Sequence, residues 1–99
     1  MKLIFIILAL LPITAFSAET YQRGKVNNIT SLAQGLLIML DTGKPTGCVS
    51  SSPWMLIPEE NKTMISVALA MYAQGKTGAT VYIDKLAPGY CKVIQYDPH

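Results

Sequence analysis

The sequence has little of what enzymes commonly use at their active sites. It holds one histidine, His99, and only 14% of its residues are charged. A hydrolytic centre needs a nucleophile, a base and an orienting group within reach of one another. The single imidazole falls at the end of the chain, a position expected to be mobile. Ser50, Ser51 and Ser52 lie side by side in a loop-forming stretch. Glu59 and Glu60 stand just ahead of a helical pattern, where the helix dipole favours acids, and read as helix-start residues rather than an acid/base pair. Asp41 and Asp84 fall at the ends of strand-like runs and read as turn formers. There is no glycine-rich phosphate loop and no metal-ligand spacing. The expectation is a non-enzymatic protein with no cofactor and no metal.

Concentrated charge is missing as well. Eight basic residues face six acidic ones, scattered without a run or a stripe. A nucleic-acid binder carries a basic footprint, and anionic membranes select for one too, so both partners are disfavoured. No internal repeat, low-complexity tract or linker divides the chain. Cysteine is sparse, with only Cys48 and Cys91.

What is present begins with an export signal. Lys2 supplies a positive start, residues 3–11 are an unbroken apolar run, Pro12 ends it, and Ala15-Phe16-Ser17 offers small residues at the positions used for cleavage. The run is too short to span a bilayer as an ordinary helix. Residues 1–17 are therefore expected to be a signal peptide, and residues 18–99 one small domain, secreted or periplasmic and free of the membrane after cleavage. A domain this small has a marginal core. In an oxidising compartment its two cysteines most simply pair. The bond would close a loop of roughly 44 residues, worth about 4 kcal/mol in the chain-entropy model.

Residues 62–76, KTMISVALAMYAQGK, form the only long helical pattern after the signal. Met64, Ile65, Ala68, Leu69 and Tyr72 make one apolar stripe at helical spacing. Asn61 is placed to cap the start and Gly75 to end the helix. Val67, Ala70 and Met71 are apolar off the stripe, so the helix is either sunk deep in its own domain or shares a second face with another subunit. Strand-like runs lie on both sides. Residues 21–32 form the first, with a phase slip between Val26 and Ile29 that predicts a bulge. Residues 33–35 are a turn, and residues 36–41 a second strand, apolar on both faces. After a loop at 41–47, a third strand begins at 48–50, breaks at 51–53 and resumes at 54–57. Residues 79–84 alternate cleanly, with Ala79, Val81 and Ile83 on one side. Residues 86–90 are a hairpin turn, and the last strand is 91–96.

Three strands, a helix and two strands fit the OB-fold, a five-stranded Greek-key barrel with its helix between strands three and four. The rival with the same order is an open α+β sheet with a helix on one face. In the barrel the third and fifth strands lie parallel and adjacent, which would bring Cys48 and Cys91 to the same end.

Lys25-Val26 with Ile29, Cys48 with Trp54 and Pro58, the helix SVALAMYAQGK, and Val81, Ile83 and Cys91 together resemble the small secreted OB-fold proteins related to B subunits of pertussis-like and subtilase-type AB5 toxins. The resemblance covers most of the mature chain and rests on spacings. It implies a homo-oligomer, in the family a pentameric ring with helices around a pore, together with a cell-surface glycan ligand and a partner catalytic A subunit. The chain is shorter than those subunits and has a single cysteine pair, and Arg23 stands where some of them place a small hydroxyl residue ahead of the first strand. Tyr21, Arg23, Trp54 and Tyr82 are the candidate glycan contacts, with Tyr90 and Tyr96 as further aromatic rings; Val67, Ala70 and Met71 are the candidate subunit contact. The alternative is a small envelope-associated structural protein of the same fold whose ligand is a protein surface. Asn28-Ile29-Thr30 and Asn61-Lys62-Thr63 are formal glycosylation sequons, relevant only in a eukaryotic secretory pathway.

Overall fold

A computed structural model describes residues 19–84 and 89–99. The expected signal peptide, and residues 86–88 of the expected hairpin turn, lie outside the described residues. Five strands and one helix follow in the order β1 (Tyr21–Leu32), β2 (Gly35–Leu40), β3 (Met55–Pro58), α1 (Lys62–Ala73), β4 (Gly78–Asp84) and β5 (Cys91–Pro98). The strands close into a barrel in the spatial order β1-β2-β3-β5-β4. All neighbours are antiparallel except β3 and β5, which run parallel.

Closure depends on the long first strand. Its first half pairs with β4, from Tyr21↔Tyr82 to Lys25↔Gly78, and its second half with β2, from Val26↔Leu40 to Leu32↔Gly35. The register slips between Val26 and Asn28, at the bulge expected from the broken alternation. A bulge bends and twists a strand, so one strand serves both sides of the barrel and leaves no open edge there. Gly35 begins β2 with φ 145°, and a Cβ there would overlap the carbonyl oxygen of Ile57. This glycine belongs to the strand, not to the preceding turn, because β3 approaches too closely for a side chain.

The interior is built from alternate residues. Val26, Leu36, Ile38, Leu40, Met55 and Ile57 meet Ala79, Val81, Ile83 and Val93 in one buried cluster. Cys48 and Cys91 join that cluster and are bonded to each other, with Cα atoms 5.7 Å apart.

The third strand is shorter than its sequence suggests. Residues 48–50 are not strand. The Cys48 amide donates to the Pro45 carbonyl at 2.9 Å, and Val49 is 89% exposed. The Lys44 ammonium donates to the carbonyls of Ser50 and Ser52, so backbone groups that a ladder would use are satisfied by a side chain. It is Met55, not Cys48, that pairs with Cys91.

The helix lies on the barrel and is not sunk in it. Ala68 is its only fully buried residue. Met64, Ile65, Val67 and Tyr72 are partly buried against the core, whereas Leu69 is 41% exposed and Ala70 and Ala73 are exposed. The inner face thus includes Val67 and excludes Leu69, rotated from the expected stripe. The helix ends in a Schellman arrangement: Gly75, at φ 78°, donates to Tyr72 and Lys76 to Met71. Its start lacks the expected cap, because the Asn61 side chain makes no capping hydrogen bond.

Candidate functional site

On β1, Tyr21, Arg23 and Lys25 share one parity and are all exposed. Their partners on β4 are Tyr82, Thr80 and Gly78. Because successive strand residues point to opposite faces, these residues form one outward stripe across two strands. Tyr21 and Tyr82 stand directly opposite each other, ring centroids 6.1 Å apart and planes tilted by 37°. Tyr21 is 49% exposed and Tyr82 half-buried, so the pair offers aromatic surface to solvent.

Below the aromatic pair the stripe becomes polar. Arg23 faces Thr80, and the Thr80 hydroxyl lies 2.8 Å from Nε2 of His99. The His99 amide also donates to the Gly78 carbonyl at 2.9 Å. This histidine is tied to β4 at two points, contrary to the mobility expected of its position. Arg23, Lys25, Asp41, Thr42 and His99 line a groove of about 340 Å³ beside the stripe. Its floor is Gly24, where a Cβ would overlap the Thr42 hydroxyl. The loop after β2 is stitched to this floor. Asp41 Oδ1 accepts from the Lys25 amide at 2.8 Å, and Thr42 donates to the Arg23 carbonyl at 2.8 Å. The Gln22 side chain donates to the Thr42 carbonyl at 3.1 Å. One oxygen of the exposed Asp41 carboxylate is therefore employed in holding backbone, and Arg23 and Lys25 add two exposed cations to the groove.

The structure brings together three of the four candidate glycan contacts, Tyr21, Arg23 and Tyr82. It leaves Trp54 apart. Trp54 is half-buried and directly precedes β3, which pairs with β2 and β5 and with neither β1 nor β4. Tyr96 is not available as a surface ring: it points inward opposite Val81 and is 8% exposed. Tyr90 is half-buried. Of the candidate subunit contacts, Ala70 is exposed, and Met71 and Val67 are half-buried. Sequence reasoning missed Lys25, Thr80 and His99. The first two were discoverable, since each shares its strand's parity with a chosen tyrosine. The His99–Thr80 bond had no signal, because it depends on how far β5 continues past Tyr96.

The hydroxyl–imidazole contact of Thr80 and His99 is the nearest approach to a nucleophile and base. Among the described residues no carboxylate bonds the other ring nitrogen, which a working triad uses for orientation. No cluster of three or more potential metal ligands occurs among the described residues. No family model, curated protein or solved structure matches this chain.

Proposed function

We propose that this chain is an exported OB-fold binding module without enzymatic activity, taking a carbohydrate on the outward face of β1 and β4. The observation that carries the reading is the exposed Tyr21–Tyr82 pair set one step along the strands from Arg23 and Thr80. Sugar rings stack their C–H faces on aromatic surface, and hydroxyl groups need donors and acceptors at the edge. Arg23, Lys25, Thr80 and His99 supply them here. A strand order of β1-β2-β3-β5-β4 with parallel β3 and β5 supports the Greek-key OB assignment over an open sheet. The Cys48–Cys91 bond is compatible with a secreted or periplasmic location. In this reading the mature chain assembles as a homo-oligomeric ring resembling toxin B subunits, presenting several glycan sites at once and able to carry a catalytic A subunit.

A second reading is a structural or envelope-associated protein whose ligand is a protein surface. The exposed, uncharged helix face of Ser66, Leu69, Ala70 and Ala73 favours it. Glycan-array binding, competed by free sugar and lost in Tyr82→Ala and Arg23→Ala, is the expected result for the first reading. An array without specific signal, from protein shown to be folded, would leave the second.

A further inference from the structure

The first strand outruns one of its neighbours. β4 begins at Gly78, which pairs with Lys25, and the Val26 amide makes the last backbone bond on that side, to the Thr77 carbonyl at 2.9 Å. Past the bulge β1 continues to Leu32 with β2 along one edge. Among the described residues no strand and no backbone hydrogen bond lies along the other edge from Asn28 to Leu32. Asn27, Asn28, Thr30, Ser31 and Leu32 are all exposed.

The turn that follows fixes which groups this edge presents. Ala33-Gln34 is a two-residue turn between Leu32 and Gly35, and such a turn makes the residues flanking it a mutually hydrogen-bonded pair. Bonded and non-bonded pairs alternate along an antiparallel ladder. Leu32, Thr30 and Asn28 therefore bond to β2, and the amides and carbonyls of Ile29 and Ser31 point to the free edge. Natural sheets commonly blunt such an edge with charge or proline. Here residues 26–40 hold neither a charged residue nor a proline.

We propose that this edge pairs with the same edge of a second copy of the chain, in an isologous antiparallel dimer centred on Thr30. The occupant follows from the register. With Thr30 opposite Thr30 of the second copy, Ile29 meets Ser31 and Ser31 meets Ile29, so the free amides and carbonyls of both chains all find partners. Centring the pair on Ile29 sets Ser31 against the bulge residue Asn27, and centring it on Ser31 sets Ile29 against the turn residue Ala33. Neither of those registers uses every free group. On the outer face the two exposed Thr30 residues form a close cross-strand pair, and Leu32 of each copy, 41% exposed in the single chain, lies opposite Asn28 of the other. With no charge on either strand, nothing repels across the axis. A single strand edge is a small contact, so a dissociation constant of about 0.1–1 mM is expected. The dimer depends neither on the glycan reading nor on the helix-face contact.

Amide NMR of the folded, disulfide-bonded protein from about 0.05 to 2 mM, a range spanning that dissociation constant, tests this. Concentration-dependent shifts are expected at Ile29, Thr30 and Ser31, and they should persist in Ala70→Glu, which alters only the helix face. Thr30→Lys sets two ammonium groups across the axis and should weaken self-association at least about tenfold. Thr30→Glu should do the same, and mixing the two variants should restore the shifts, a rescue that mere damage to the strand would not give. Ser31→Pro removes an outward amide and no bond to β2, so a folded chain that does not self-associate is expected. Should that variant not fold, the mixture of Thr30→Lys with Thr30→Glu decides alone. A spectrum that does not change with concentration, shifts confined to α1 or to the tyrosine stripe, or Thr30 variants that associate no better mixed than apart would each overturn the proposal.

Discussion

The two ends of this barrel are held by different means. At one end the chain between β2 and β3 is irregular, yet it is tied at nearly every step. Cys48 is bonded to Cys91, Gly47 donates to the Glu19 carbonyl, Thr46 accepts from the Glu19 amide, and Lys44 gathers the carbonyls of Ser50 and Ser52. At the other end stands the one helix among the described residues, α1, with one fully buried residue and an uncapped start. Regularity and attachment are thus separate properties. A helix satisfies its own backbone and can rest lightly on a surface. A loop entering the interior cannot, so its polar groups are met one by one from elsewhere.

The largest expected effect breaks the tied end. Replacing Cys48 and Cys91 together by alanine should cost about 4 kcal/mol, the chain-entropy value for a loop this long. Urea unfolding of the double variant against the parent measures it. A loss below about 1 kcal/mol would mean that hydrogen bonds alone hold this end.

A smaller effect sharpens the same contrast. Lys44→Met keeps the length and the apolar stem and removes the ammonium from the Ser50 and Ser52 carbonyls. Hydrogen bonds to a charged group are worth about 1.5–3 kcal/mol, less where water can substitute, so about 1 kcal/mol is expected at this half-buried position. The lysine and the disulfide order the same loop, and their losses should not add. A double-mutant cycle with the cysteine variant should show coupling; strict additivity would separate the two devices.

Much of this architecture was legible before any coordinates. The slip from Val26 to Ile29 announced the bulge, Ala79-Val81-Ile83 fixed which face of β4 is interior, and the parallel neighbours β3 and β5 were implied by element order with the cysteines as a check. Strand parity is a local property, so it survives translation into structure. The start of β3 was not legible. Cys48-Val49-Ser50 has the composition of a strand, yet its Ser50 carbonyl is taken by the Lys44 side chain, six residues away. Helix orientation failed for a related reason. Val67 and Leu69 are both apolar, and it is Val67 that meets the core while Leu69 is exposed, a choice made by tertiary packing and not by the helical pattern. Of the candidate site, the tyrosines and Arg23 followed from parity, while the His99–Thr80 contact depends on β5 continuing past Tyr96, which its sequence does not mark.

The smallest expected change in stability tests the lightly attached end. Ala70 is exposed on the outward face of α1, beside Leu69, Ala73 and Ser66, a surface without charge in a barrel whose other faces carry it. Ala70→Glu touches no core residue, and glutamate is a good helix former. Its unfolding free energy should stay within about 0.5 kcal/mol of the parent, the usual range for a surface position. Assembly should respond quite differently. If the helix face is a subunit contact, one buried carboxylate per subunit, repeated around a closed ring, makes association unfavourable at every interface together. Light scattering should then report a folded monomer where the parent is larger, with unchanged circular dichroism and an intact disulfide. A parent already monomeric at about ten micromolar, an ordinary working concentration for a stable assembly, would remove the ring. An Ala70→Glu chain that unfolds would show instead that this face is packed against its own barrel, and that the two ends are less different than their hydrogen bonds suggest.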